Sequence, residues 1–542
     1  MKYSIAQICG KHTKAQATKT TWDSIYKDVF EYSMPARDNF QKVQSGSNND
    51  PNYQDRRSEL YSSAGEQSAN EFVNTMQDLL CPPLSKWIDL EAGVLFPEEK
   101  REDVNGELKK MCDIANEYKN LSNFDMAFSE FCYDLYAGTA CMLIMEGDDI
   151  YTPVVYKTIP LTEYAVEEGA DGKVSWVYRE FTTKKENLPQ MWRELRKMDL
   201  KDEDREKDIK ILECTYWDID IKKWIYLVID LANKSEFLKR EYKTNPFVVL
   251  RWNKAAGEPY GRGVGIAALN DIKTLNMIKW YSLRALAYNL PPLLVQEDAM
   301  LDVDQLDMTP FALNVVPNTQ TSITPLQLTA TNPNLEQYKV QELQMDIKRA
   351  TLGNTLPNEG NRQLTATEVN QRMLELKKNL NSVFGRLIMF QMDTVRRIFD
   401  VMITTNIFKG DGKDGEGFDA AKINGMIYKV KINSPVAKQL KANEAQSMIA
   451  SAGLLIQIDP TGASLNNTLK LAEMSPYLMD LMGVPNQFIY TTDEIRAKGE
   501  EQQKQAMAAQ QAAQQGQVEA QNAIEMGKAN ARVAEKDATR AF

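Results

Sequence analysis

Apolar positions along the chain keep one period for a stretch and then change to another, and the changes divide the sequence into predicted segments. In "TTWDSIYKDVFEYSMP", Trp22, Ile25, Val29 and Tyr32 recur at helical spacing and the pattern stops at Pro35. "YQDRRSELYSSAGEQSANEFVNTMQDLLCPP" repeats this on a larger scale and ends at Pro82 and Pro83. "FDMAFSEFCYDLYAGTACMLIME" reads as a third helix, apolar on all sides in its second half and therefore expected to be buried. From about Tyr151 to Trp252 the pattern becomes short β-branched and aromatic runs: "TPVVYKTI", "KVSWVYREF", "DIKILECTYWDI", "KWIYLVID" and "PFVVLRW". Turns such as "EEGADGK" separate them, which predicts a small antiparallel sheet region, interrupted by one helix near "LPQMWRELRKM".

The next segments are rods. A helix opens after Gly265 and is cut off at Pro291 and Pro292, roughly 37 Å at 1.5 Å per residue. Strand-like pieces "PLLV" and "ALNVV" follow within residues 293–331. "NPNLEQYKVQELQMDIKRATLG" then predicts a second rod, with Asn332 as N-cap, Pro333 at the first helical position and Gly353 as the stop. Two rods thus flank a small β-containing excursion. After the polar stretch 353–364, Thr365-Ala366-Thr367-Glu368 has the pattern of a capping box, and Leu364 with Val369 that of a hydrophobic staple. These signals start a helix that runs to about Thr405, roughly 60 Å and far above the usual length of about 11–12 residues. After "KGDGKDGEG" and a strand "MIYKVKINSP", the remainder reads as helical, ending in an Ala- and Gln-rich run that buries little by itself. The fold class is α+β, mainly helical.

Composition narrows the chemistry. At 542 residues the chain is too long for one core. A net charge of −11 argues against a protein that grips nucleic acid, because tight binding needs clustered cations to displace counterions. The six cysteines, Cys9, Cys81, Cys112, Cys132, Cys141 and Cys214, form no CxxC pair and are expected to be reduced core thiols. No window resembles a membrane span and the start lacks a secretory core, so a soluble protein made in a cytoplasm is expected. His12 is the only histidine, expected in a solvated N-terminal tail, so neither a His-based catalytic site nor a two-histidine metal site is expected.

Two motifs compete with that reading. "GRGVG", Gly261 to Gly265, follows a strand and opens a helix, as a dinucleotide turn does, but the third glycine of GxGxxG is missing and no acidic ribose partner follows. A tight turn is the plainer reading. "GDGKDGEG", Gly410 to Gly417, imitates a calcium loop but places Lys413 where a ligand belongs. Neither a cofactor nor a metal is expected. Of the basic residues on the rods, Lys273, Lys279 and Arg284 lie on the first, and Lys348 and Arg349 end the second. They are either a solvated, salt-bridged face or scattered phosphate contacts.

The order helical start, sheet, rod, excursion, rod, polar loop, very long helix and helical end resembles that of bacteriophage portal proteins, and within them the head-to-tail connectors of short-tailed phages of the podovirus type. The resemblance rests on "SAGEQSANEFVNTMQDLLCPPLSKWIDLE", "FDMAFSEFCYDLYAGTACMLI", "PFVVLRWNKAAGEPYGRGVGIAALNDIKTLN" and "LTATEVNQRMLELKKNL", and it covers roughly residues 50–460. It implies a portal fold of wing (1–264 and 406–435), stem helices (265–290 and 333–352), clip (291–332), channel loop (353–364), tunnel helix (365–405) and crown (436–542). It further implies a ring of twelve subunits around a channel for double-stranded DNA, with no catalytic site. Lys273, Lys279, Arg284, Lys348, Arg349, Asn354, Asn358, Glu359, Asn361 and Arg362 become candidates to line the channel, and Leu364, Thr365, Glu368 and Val369 cap the tunnel helix. The implied partners are the large terminase subunit, tail-adaptor and tail proteins, and the major capsid and scaffolding proteins. The implied place is the portal vertex of the virion, after synthesis in the host bacterial cytoplasm. Two alternatives stand beside this reading: a nucleotide-binding enzyme using the GRGVG turn, and a coiled-coil scaffold built on residues 365–405.

Overall fold

The computed structural model describes residues 3–37, 60–93, 101–188 apart from 148 and 150, 207–288, 293–296, 313–316, 333–353, 366–408 and 428–432, with short helical pieces between 448 and 530. The chain divides into two units, Met1–Pro435 and Val436–Phe542. In the second, the described pieces are helical, such as residues 448–455 and 526–530.

In the first unit, helix α1 (Ile5–Ser33) starts at a capping box, in which the Ser4 hydroxyl accepts from the Gln7 amide and the Gln7 side chain accepts from the Ser4 amide. Helix α2 (Ala64–Leu80) ends before the two prolines, as its sequence predicts. Strand β1 (Ile88–Ala92) and helix α3 (Arg101–Leu121) follow. Next comes α4 (Phe124–Ala137), and here the expectation of one long helix fails: the chain turns at Gly138, φ 147°, and continues as strand β2 (Thr139–Glu146). An L side chain rarely adopts that φ, so glycine is what lets a buried helix turn directly into a buried strand.

The β region is two sheets rather than one. A three-stranded antiparallel sheet sets β2 between β3 (Val154–Ile159) and β9 (Phe247–Arg251), with Cys141 opposite both Ile159 and Val249. A five-stranded antiparallel meander runs β4 (Tyr164–Glu168), β5 (Val174–Lys184), β6 (Asp208–Asp218), β7 (Lys223–Asp230) and β8 (Ser235–Tyr242). Strands β4 and β8 were not expected. The helix expected near residues 188–198 and the loop Gly410–Gly417 lie largely or wholly outside the described residues.

Helix α1 packs its Ile8 and Ala15 onto the meander, against Trp176, Tyr178, Cys214 and Tyr216. Inside the body, Arg179 of β5 is 4% exposed yet satisfied, held by Glu163 at 3.1 Å and Glu213 at 3.0 Å. Five cysteines are buried, Cys9 is half-buried, and all six are free thiols. Burial pushes the thiols up, Cys112 to about 12, which keeps them unreactive.

The remaining elements of this unit are α5 (Val264–Tyr288), β10 (Leu293–Gln296), β11 (Leu313–Val316), α6 (Pro333–Ala350), α7 (Ala366–Thr404) and β12 (Tyr428–Ile432). β10 and β11 pair in parallel. β12 returns to pair antiparallel with β1, Ile88 opposite Ile432, so the strand after α7 rejoins the N-terminal part of the unit.

His12 corrects an expectation. It is not solvated: α1 carries it to the meander, where it is 7% exposed, with Nε2 3.4 Å from Glu180 Oε2. Lys210 also pairs with Glu180, and Tyr178 lies beside the imidazole. Burial pushes its pKa down, opposed by Glu180 and assisted by Lys210 and Lys19. The neutral imidazole therefore favours the fold above its ordinary value near 6.5, and that contribution is lost as pH falls through the lower folded value. Thermal melts of the parent chain and His12→Gln between about pH 7.5 and pH 5 should show the parent losing more stability on acidification. A constant difference between the two would mean that the His12 charge has no part in docking α1.

Candidate functional site

Two helical legs carry the first group of candidate residues. α5 leaves the body immediately after the glycine turn, and its first half is embedded: Val264, Ala268, Leu269, Ile272 and Leu275 are buried. From Asn276 to Ala285 no residue is buried, and Met277, Tyr281 and Leu283 are 57%, 57% and 52% exposed. α6 runs back antiparallel. Its C-terminal half packs Ile347, Leu343 and Ala350 on Ala268, Ile272 and Leu275, whereas Tyr338 and Met345 are 63% and 56% exposed.

The second leg ends differently from expectation. Gly353 donates its amide to the Lys348 carbonyl at 2.8 Å, as in a helix-closing Schellman turn, but the residue with left-handed backbone is Leu352, φ 62°. Burial of Leu352 holds it in that conformation, which for a side-chain-bearing residue costs about 1–2 kcal/mol. A Cβ on Gly353 would stand 2.6 Å from Glu71 Oε2, the movable end of a half-exposed side chain, and 3.2 Å from the Lys348 carbonyl, so the position is tight without demanding glycine.

The basic candidates are not one patch. Lys273 donates to Asp28 on α1 at 2.7 Å and lies over the Tyr32 ring. Lys348 is 3.8 Å from Glu71 on α2, and Arg349 is 3.5 Å from Asp346. Arg284 lies over the Trp280 ring, 4.8 Å from its centroid. At about 100° per residue, Lys273 and Arg284 share a stripe with Met277 and Tyr281, while Lys279 continues the Ala268, Ile272, Leu275 face that looks toward α6. The acidic partners Asp28 and Glu71, distant in sequence, gave no signal in the chain. Asn354, Asn358, Glu359, Asn361, Arg362, Leu364 and Thr365 lie outside the described residues, as do the side chains of Glu368 and Val369. α7 begins at Ala366, the position that an N-cap at Thr365 predicts.

The C-terminal half of α7 is fastened to the body by polar side chains that mostly address main-chain atoms. Arg386 donates to the Trp252 carbonyl at 2.7 Å, Gln391 to the Leu80 carbonyl, and Arg397 to the Ile144 carbonyl at 3.0 Å. Asp400 accepts from the Thr244 hydroxyl at 2.7 Å. Arg397 is 1% exposed and lies over the Tyr242 ring at 4.2 Å. Phe390 stacks on Phe131 at 4.8 Å and on Phe128 at 6.1 Å. These anchors were missed in the sequence, where they look like the polar positions of an amphipathic helix.

A model of the bacteriophage head to tail connecting protein family matches residues 6–489. The chain belongs to that family. A probable portal protein of Bordetella phage BPP-1 is 22% identical over 536 residues, covering 91% of this chain and 90% of its relative. Among solved structures, a chain in the virion of a native gene transfer agent particle matches at 10% identity with a TM-score of 0.34, over 72% of this chain and 86% of its own. A chain in the neck of an empty gene transfer agent particle matches at 12% identity with a TM-score of 0.36, over 78% and 90%.

The head-to-tail connecting protein is a structural component of the phage particle, and the geometry disposes of both alternatives. The glycines of "GRGVG" face protein, not a ligand. A Cβ on Gly261 would stand 2.6 Å from the Gly138 carbonyl, one on Gly263 would strike the Tyr136 carbonyl, and one on Gly265 would strike the Tyr136 ring and stand 2.8 Å from Val29. The Gly263 amide is already spent on the Ala137 carbonyl at 3.0 Å. No inner face remains to cradle a phosphate. A coiled-coil scaffold fails as well, because α7 packs into a mixed helix-and-sheet body. Among the described residues no group of three or more His, Cys, Asp or Glu side chains could hold a metal, and no helix is long and apolar enough to cross a membrane.

Gly263→Ala should destabilise the connector by about 1–3 kcal/mol or more, since the obstructing atoms are backbone. Gly385→Ala, within α7 and with nothing within 4 Å of the added carbon, should be neutral or stabilising by up to about 1 kcal/mol. Chemical denaturation of both variants checks the contrast; equal effects would mean that the glycine turn is not the tight junction described.

Proposed function

We propose that this connector is a portal: a ring of twelve copies at one capsid vertex, through which double-stranded DNA enters the head and later leaves it. Membership of the connecting-protein family and the likeness to a probable portal protein along most of the chain support the reading. The observation that carries it is the pair of legs, α5 and α6, on which five large apolar side chains, Met277, Tyr281, Leu283, Tyr338 and Met345, stay exposed in the single chain. Such a surface in one copy is expected to be covered in an assembly.

In this reading the body, residues 1–264 and 406–435, is the wing, and the return of β12 to β1 agrees with that grouping. Residues 265–290 and 333–352 form the stem. The clip, 291–332, is closed by the β10 and β11 pair and docks the large terminase subunit, then tail-adaptor and tail proteins. Residues 353–364 form the channel loop, 365–405 the tunnel helix and 436–542 the crown, while the major capsid and scaffolding proteins meet the outer surface. The ring performs no catalysis; the terminase supplies ATP hydrolysis.

The charge balance suits a conduit. Duplex DNA carries one charge per about 1.7 Å, and a bore lined with cations would retain it through many phosphate contacts. An acidic chain with scattered leg cations lets the duplex slide. In the channel loop, Glu359 and Arg362 nearly cancel, so Asn354, Asn358 and Asn361 act by proximity more than by charge.

Purified protein in negative stain should show annuli with a central hole, and twelve copies of the 61.6 kDa chain give a native mass of about 740 kDa. A monodisperse monomer would overturn the portal reading. Deleting residues 355–362 should leave ring formation intact and reduce DNA retention in filled heads, read as packaged genome length. Loss of rings in that variant would make the loop an assembly element.

A further inference from the structure

Where the chain between α2 and β1 crosses the turn from α3 to α4, three buried polar atoms meet no hydrogen-bond partner: Nζ of Lys119, Oδ1 of Asp125 and Nε1 of Trp87. The junction around them is otherwise well bonded. The Ser122 hydroxyl donates to the Lys119 carbonyl at 2.6 Å and the Gln77 side chain to the Asp125 carbonyl at 3.4 Å. Asn123 exchanges two hydrogen bonds with the Tyr156 backbone, at 2.7 Å and 3.1 Å. The surplus lies in the side chains.

Lys119 is the demanding member. Its side chain is fully buried, and an ammonium in that place brings three N–H donors that need acceptors. Asp125 Oδ1 stands 3.7 Å away, close enough for charge attraction and too far for a hydrogen bond. The neighbouring rings do not close on the amine either. Nζ is 6.0 Å from the Trp87 centroid and 5.7 Å from that of Phe124, against 4.4 Å where Lys11 lies over Trp176. Burial pushes the Lys119 pKa down, and Asp125 opposes the shift.

Two atoms 3.7 Å apart leave room for a third at hydrogen-bond distance from both, on the side that the rings leave open. The chemistry of the three groups selects its kind. An anion would face the Asp125 carboxylate and a cation the Lys119 ammonium, in a low dielectric where like charges repel strongly. The pair as a whole is neutral and offers donors on Lys119 and Trp87 and an acceptor on Asp125. It therefore suits a small neutral molecule that both accepts and donates. Water has that capacity, and a buried water commonly makes about three hydrogen bonds to such leftover groups.

We propose that Lys119, Asp125 and Trp87 hold one buried water, which accepts from Lys119 Nζ and Trp87 Nε1 and donates to Asp125 Oδ1. The site joins three segments: Trp87 just before β1, Lys119 in the last turn of α3 and Asp125 in the first turn of α4. It also adjoins the seat of the long helix. Gln391 of α7 donates to the Leu80 carbonyl, and Cys81, next in the chain, lies within reach of the Lys119 charge. The water thus completes the corner to which α7 is fastened, and it does so in the single chain, whatever the assembly.

A crystallographic or electron cryomicroscopy map of the full-length parent chain, at a resolution that shows ordered water, tests the site directly. The expected result is a peak about 2.7–3.2 Å from both Lys119 Nζ and Asp125 Oδ1, of the same height in chloride and in bromide buffer. A peak that grows in bromide would make the ligand an anion and overturn the assignment. A direct Lys119–Asp125 contact of about 2.8 Å with no peak beside it would overturn it as well. In Lys119→Met, which keeps the length of the side chain and removes its donors, the peak should be lost while Trp87 and Phe124 stay in place. A peak that persists in that variant would show that Lys119 does not hold the water. Should the variant fail to fold, the parent map alone decides.

Discussion

The junction where the glycine turn lies against the end of α4 is the contact on which the rest depends. Gly138 turns a helix into a strand at φ 147°, and the Trp252 amide donates to its carbonyl at 2.8 Å. Gly261 approaches the same carbonyl so closely that neither position tolerates a side chain. Tyr26 of α1 closes the cluster, donating to the Gly261 carbonyl at 2.6 Å, while Thr139 accepts from the Gly261 amide at 2.8 Å. Three segments distant in sequence are thereby fixed to one another, and α5 starts from that fixed point. The direction of the leg is set where it leaves the body, before any of its exposed residues meets another surface.

A similar division of labour recurs in α7. Its described side chains from Val383 onward alternate between packing and anchoring, with Phe390 among the α4 aromatics and Arg397 capping the end of β2. A buried guanidinium is costly unless satisfied, and burial lowers the Arg397 pKa, so its carbonyl partner, Asp400 and the Tyr242 ring together make the position tenable. The long helix is therefore held in both rotation and axial position over its last five turns.

The helices α5, α6 and α7 were legible in the chain as long elements, because Pro291 and Pro333 and the helical spacing of the apolar residues are local signals whose physics needs no tertiary context. Element types in the sheet region were legible where β-branched and aromatic residues cluster, as in "KWIYLVID". Strand β8, "SEFLKREY", was not, since its charged residues give an edge strand the look of a loop. The apolar run through residues 135–146 fits either period, and only the backbone at Gly138 decides where helix ends. Of the site, the cations were visible but their meaning was not. Asp28 and Glu71 acquire their role by folding, as do the acceptors of Arg386, Gln391 and Arg397. His12 was misread for the same reason: a polar residue in an N-terminal stretch looks solvated until a sheet covers it.

The anchors of α7 also bear on how this sequence can change. Arg386, Gln391 and Arg397 reach for the carbonyls of Trp252, Leu80 and Ile144, atoms that every residue type supplies in the same place. Replacing any of those three residues by another of similar volume leaves the acceptor where it was, so the helix demands conservation of only one member of each pair. A body that offers its backbone as the socket can drift in side chains while the lever it holds stays in register.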